Sequence, residues 1–255
     1  LGGEGLQHQD GSRHLVAATV PNCRAYDPCY AHEVAVLFDY GLRRMLEEQA
    51  DEFFYLTVMN ENYAHPSAPE GCAEDVIKGM YRLSRARPAK ARGRVRLLGS
   101  GAILREVDAA ARMLAEEWDV DTEVFSVTSF SELERDARAV ERRNRHAPED
   151  DPVQSQVGRL LPGTDPVVAA TDYVRAVPQL IAPYLEGRFA VLGTDGFGRS
   201  DTRDALRSFF EVDRRHVLLA ALDLLSRDGV VSRSALTDAI SRHRIETGIP
   251  APWTH

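Results

Sequence analysis

His8 stands in the stretch LGGEGLQHQDGSRH, with Glu4 before it and Asp10 after it. An imidazole between two carboxylates has a partner for either ring nitrogen. Held that way it can carry a proton near neutral pH, as a general acid or a clamp for a substrate carboxylate must. Gly2, Gly3, Gly5 and Gly11 lend the string the freedom of a polar active-site loop. The same string suits an exposed lead-in, and local spacing does not decide between the two.

Other chemistry has less support from spacing. Cys23, Cys29 and Cys72 match neither zinc ligation nor a disulfide framework. HExxH, EF-hand and GxSxG patterns are absent. LLGSGAI turns toward a helix start, where free N–H groups favour an anion. Leu104 replaces the third glycine of a dinucleotide fingerprint, so a plain tight turn is the simpler reading. In GTDGFGRSD, Gly193, Gly196 and Gly198 allow close backbone approach, and Asp195 and Arg199 could face a partner or an active-site rim. NENYAHPSAPEG follows an apolar run. It sets Asn60, Glu61, Asn62, Tyr63 and His65 at the carboxyl end of a strand, where α/β folds bind ligands.

The elements that would position these residues alternate. LVAATV, residues 15–20, reads as a short buried strand closed by Pro21. Asp27 before Pro28 marks a helix start, and Val34, Leu37, Phe38 and Leu42 form its apolar stripe up to about Glu48. FFYLTVM, residues 53–59, is a strand, and GCAEDVIKGMYRLSRA is a second helix with Ile77, Met80 and Leu83 on one face. The pattern restarts with a strand at Val95, Leu97 and Leu98. A helix over 103–117 turns Val107, Ala111 and Leu114 inward. A strand over 123–127 and a helix over 129–145 follow, the latter opened by a capping box of Ser129 and Glu132. Two further strands, a Gly-rich loop and three helices complete the chain, with Gly229 ending one helix. Strands alternating with helices make an α/β fold with parallel pairing.

The composition is that of a globular protein: 255 residues, 44% hydrophobic and 27% charged. With 31 basic and 39 acidic residues the net charge is -8, which disfavours nucleic acid and anionic membrane as partners. The arginine-rich run from Arg82 to Arg96 reads as a solvated linker between two halves. No 18-residue apolar run and no basic-then-apolar leader occur. An odd, low cysteine count suits a reducing compartment, so a cytoplasmic location is expected. Leu1 is expected to be internal to a longer chain, because no initiator methionine is present.

Several strings follow one another in register: GGEGLQHQDGSRH, VPNCRAYDPCYAHEVAV, NENYAHPSAPEG, VRLLGSGAIL, SVTSFSELERDA and VLGTDGFGRSDTRDALRSFFEVD. Together they resemble the carboxyl-terminal part of the homodimeric, single-chain bacterial pyruvate dehydrogenase E1 family, in the transketolase-like superfamily. The resemblance runs from Leu1 to about residue 245. It implies the end of a pyrimidine-binding parallel-sheet domain over 1–85, a linker over 86–94, and a transketolase carboxyl-terminal-like α/β domain over 95–255. It implies thiamine diphosphate and Mg2+ in the full-length enzyme, anchored mainly by residues upstream of Leu1. Pyruvate, the lipoyl-bearing dihydrolipoyl acetyltransferase E2 and a second copy of the chain are the implied partners. The resemblance makes His8 and Glu4 the catalytic residues carried here, with Asp10, Gly11 and His14 continuing their loop. Gln9 departs from the glutamate the family more often carries. Because the diphosphate and metal motif has no copy, the chain alone is expected to be catalytically incomplete.

Overall fold

The computed structural model describes residues 11–254. Its elements in chain order are α1 (Arg13–Ala18), β1 (Cys23–Tyr26), α2 (Ala31–Leu42), β2 (Phe53–Leu56), α3 (Ala73–Ile77), β3 (Met80–Ala86), β4 (Gly93–Gly99) and α4 (Leu104–Trp118). Then come β5 (Val120–Val127), α5 (Phe130–His146), α6 (Gln156–Leu160), β6 (Val167–Ala170), α7 (Ala176–Gln179), β7 (Phe189–Leu192), α8 (Arg203–Phe209), α9 (Arg214–Arg227) and α10 (Ser234–Arg242).

β1 and β2 pair in parallel, Tyr26 opposite Leu56. The other strands form a five-stranded sheet in the order β3-β5-β4-β6-β7. All its pairings are parallel except β3 against β5. Alternation sorts the side chains of this sheet between two cores. Val95 and Leu97 of β4, Val124 of β5 and Val168 of β6 face α4 and α9. Leu98, Phe125 and Val167 face α5, α6 and α7. The result is the three-layer α/β arrangement expected from the alternating pattern. Val107, Ala111 and Leu114 are buried on α4, as their spacing requires. Ser129 caps α5 by accepting from the Glu132 N–H at 3.1 Å.

The structure corrects five local expectations. Residues 15–20 are not a strand, since residues 15–18 lie in α1 and Val16 is exposed. A short apolar run does not distinguish the two forms. Asp27 does not start α2; Tyr30 is the residue at its amino-terminal boundary. On α2, Leu37 is buried, but Phe38 and Leu42 point outward. Finally, the second helix stops at Ile77, and residues 80–86 are strand β3. Gly79, at φ 102°, breaks it, and a Cβ there would lie 2.5 Å from the Ser129 carbonyl oxygen. Much of the arginine-rich run is therefore not a solvated linker: Arg82 and Arg85 are in β3, and Arg94 and Arg96 are in β4.

Candidate functional site at the joined strand ends

A polar residue follows each of several apolar strands: Asp27 after β1, Thr57 after β2, Ser100 after β4, Thr128 after β5 and Thr171 after β6. The fold brings the carboxyl ends of both sheets together. The Asp27 N–H donates to the Thr128 carbonyl at 2.7 Å, and the Asp27 carbonyl accepts from the Gly101 N–H at 3.0 Å. Ser129 Oγ donates to the Ala25 carbonyl at 2.6 Å. Backbone groups that neither sheet satisfies are thus satisfied across the junction.

The side chains continue that link. Thr57 Oγ1 donates to Asp27 Oδ1 at 2.7 Å, and His14 Nε2 lies 3.1 Å from the same hydroxyl. The His14 ring meets Tyr173 edge-on at 4.5 Å between centroids. Burial lowers the pKa of His14 to about 4, so it is neutral at physiological pH. Asp27 Oδ2 is buried with no hydrogen-bond partner. Burial, opposed by the Thr57 hydrogen bond and reinforced by the charge of Asp172, pushes the Asp27 carboxyl up to about 7. Both Asp172 oxygens are also buried without a hydrogen-bond partner, and burial raises that pKa as well. Gly101, at φ 49°, makes room for this arrangement, since a Cβ there would lie 2.6 Å from Asp27 Oδ2. That close approach gives the GSG turn a packing role.

Ser100 Oγ and Thr171 Oγ1 are 2.9 Å apart, and Thr194 Oγ1 donates to the Asp172 carbonyl at 2.6 Å. The space enclosed by His14, Asp27, Ser100 and Tyr173 is about 10 Å³. That is room for about one water. The cluster can hold and position protons, but as it stands it admits no substrate.

His8, Glu4 and Asp10 lie outside the described residues. Gly11 is described: its carbonyl accepts from the Val174 N–H at 3.0 Å, one residue beyond Tyr173. The 60–71 loop meets the five-stranded unit through ions. Glu61 accepts from Arg105 at 2.7 Å and from Arg207 at 2.5 Å, and Asn60 accepts from Arg203 at 2.7 Å. Burial opposes ionisation of Glu61, but hydrogen bonds and charge from Arg207 and Arg105 hold its carboxyl below the ordinary value. Tyr63 donates to the Cys29 carbonyl at 2.5 Å, and the Arg105 guanidinium lies 4.4 Å from its ring centroid. In the 193–201 loop Asp195 pairs with Arg175, while Phe197 is 75% exposed.

Sequence reasoning missed Asp27, Thr57, Asp172 and Tyr173 as members of one site. The available signal was a polar residue directly after an apolar strand run. Among the described residues no group of three potential metal ligands occurs. The strand-end cluster holds two buried carboxylates and no cation, so it does not fit a diphosphate.

Residues 79–213 match the family described as transketolase-like TK C-terminal domain. The chain belongs to that family. Residues 1–66 match the pyruvate dehydrogenase E1 component middle domain. The pyruvate dehydrogenase E1 component of Cupriavidus necator is 48% identical over all 255 residues, which cover 28% of that protein. That of Pseudomonas aeruginosa is 50% identical over 248 residues, 96% of this chain and 28% of that one. The chain is thus homologous to bacterial pyruvate dehydrogenase E1 components and spans about 28% of their length. Among solved structures, transketolase from Leishmania mexicana superposes with a TM-score of 0.63 at 20% identity, covering 92% of this chain and 30% of that one. This likeness supports the transketolase-like fold alone. Among the described residues no helix is long and apolar enough to cross a membrane.

Proposed function

We propose that this chain supplies the end of the pyrimidine-binding middle domain and the carboxyl-terminal domain of a cytoplasmic pyruvate dehydrogenase E1. By itself it is catalytically incomplete. The observation that carries this reading is homology at 48% identity along the whole chain, to proteins of which it spans 28%. The pairing of β3 within the five-stranded sheet supports a boundary between the two parts near residue 79.

In the full-length enzyme thiamine diphosphate with Mg2+ would supply the electron sink for decarboxylating pyruvate. The strand-end cluster, with two buried carboxylates, does not hold its diphosphate. The role proposed for this chain is positional. Asp27, Thr57 and neutral His14 lock the strand ends together, and Gly11 anchors the exit of the His8 string beside them. His8, together with Glu4 of the same string, is the proposed proton donor or carboxylate clamp during substrate capture or acetyl transfer to the lipoyl group of E2.

Homodimerisation is part of the proposal. Phe38, Leu42 and Leu46 recur at helical spacing along α2 and its extension, at 60%, 45% and 69% exposure. A stripe of that kind suits burial against another subunit. The same stripe supports the second reading, in which the chain serves assembly alone.

Two measurements test the proposal. The 255-residue chain, titrated calorimetrically with thiamine diphosphate and Mg2+, should show no micromolar binding; tight binding would refute the incomplete reading. In the full-length enzyme His8→Ala should keep cofactor affinity and lose about 10²–10⁴-fold in turnover. Less than about a threefold change in decarboxylation with an artificial acceptor, and in the full reaction with E2, would leave His8 without the proposed role.

A further inference from the structure

We propose that the cleft between the 69–72 loop, α6 and the first half of β4 binds a small dianionic oxyanion, a phosphate ester or a dicarboxylate. The cleft measures about 570 Å³. Small-molecule sites span roughly 300–1,000 Å³. It lies away from the polar cluster, which sits beyond the carboxyl end of β4. Four arginines line it, Arg82, Arg94, Arg96 and Arg159, with the acids Glu70, Asp75 and Glu123, while Asp121 pairs with Arg94 and Asp165 with Arg94 and Arg96.

Arg96 carries the inference. It rises from β4, a strand with sheet neighbours on both sides, and its side chain is only 5% exposed. One of its nitrogens, Nη2, meets Asp165 at 3.0 Å. Nε and Nη1 are buried with no hydrogen-bond partner. The Glu123 carboxylate stands 3.5 Å from Nε, and it is shared with Arg82 at 3.5 Å and Arg85 at 3.7 Å. Three guanidinium groups surround one carboxylate, and none reaches the roughly 2.7–2.9 Å of a charge-assisted hydrogen bond. Arg85 and Arg94 are engaged by Asp121 at 2.7 and 3.1 Å, so the donors left over beneath the cleft are Nε and Nη1 of Arg96. A buried donor without an acceptor is costly, and a guanidinium fork matches the geometry of phosphate or carboxylate oxygens.

The rim fits the same ligand. Arg159 is half exposed and pairs with Asp75, so it can turn toward an entering anion. Pro69, Leu160 and Pro162 also line the cleft and offer an apolar wall to the carbon part of the ligand. An inorganic ion would use only the arginines, whereas an organic ester or diacid would use both.

The test is calorimetric titration of the chain with sodium phosphate, glycerol 3-phosphate and succinate, each against sodium chloride of equal ionic strength. At least one of the three should bind with one-to-one stoichiometry, and which one does so distinguishes phosphate from carboxylate chemistry. Arg96→Met should weaken that binding by about tenfold or more, and Arg159→Gln by about threefold or more. Arg112→Gln, on the exposed face of α4, should leave it unchanged. Arg159 is on the surface, so its variant keeps the test valid if Arg96→Met fails to fold. No binding above the chloride control up to about 10 mM would overturn the proposal. Unchanged affinity in Arg159→Gln would also overturn it.

Discussion

Asp27→Asn should flatten one component of the pH dependence of stability. The Asp27 carboxyl is raised from 3.8 to about 7, chiefly by burial. In the unfolded chain it ionises near pH 4, while in the fold it keeps its proton to about pH 7. Its favourable contribution is therefore complete below pH 4 and is lost as pH rises toward 7, at about 1.4 kcal/mol per pH unit. Over the whole interval that comes to about 4 kcal/mol. His14 acts in the opposite sense, since burial lowers its pKa from 6.5 to about 4. Its contribution is present above pH 6.5 and lost as pH falls to 4, so the two partly cancel in the wild-type curve. His14 is common to both proteins, and subtracting the curves isolates Asp27. Asparagine keeps the oxygen that accepts from Thr57 and cannot ionise. Urea unfolding at a series of pH values should show the variant gaining about 2 kcal/mol on the wild type between pH 5.5 and 7. A carboxyl resonance titrating near pH 7 should vanish in the variant. Curves that run parallel within about 0.5 kcal/mol would refute the buried, protonated Asp27.

Gly101→Ala should destabilise by about 2–4 kcal/mol, through left-handed strain and the clash with Asp27. A thermal melt checks this, and the loss should shrink in an Asp27→Gly background if the clash is the cause. Glu61→Ala should cost about 3 kcal/mol, because Arg207, 5% exposed, would lose its nearest carboxylate. Denaturant unfolding reads that loss, and an effect below about 0.5 kcal/mol would mean that the ion cluster does not hold the 60–71 loop. Leu42→Lys, on the exposed stripe of α2, should shift the full-length protein from dimer toward monomer in sedimentation at about tens of micromolar. The fold of the dissociated subunit should be retained by circular dichroism, since Leu42 is 45% exposed.

The α/β order, and much of the second unit, was legible because its signals are local. Val107, Ala111 and Leu114 lie within one helix, and Ser129 caps the turn that immediately follows it. A helix closes its own hydrogen bonds within four residues, so its stripe and caps are written in adjacent positions. Strands behave differently, because their partners lie elsewhere in the chain. Nothing near Arg82 or Arg96 announces that β5 will pair with both β3 and β4 and set acids against them. Read locally, such residues look solvated.

The same limit hid the strand-end site. Asp27 before Pro28 has the local form of a helix start, and that reading needs no knowledge of distant residues. Its actual place depends on Thr128 and Gly101 approaching from another sheet. Likewise Phe38 and Leu42 share spacing with Leu37, but which of them faces inward depends on where Tyr26, Val76 and Tyr81 pack. Periodicity along the chain establishes that a segment has an apolar face and what its residues can do chemically. The neighbours of that face, and whether a carboxylate keeps its proton, follow from desolvation and contacts between segments far apart in the chain.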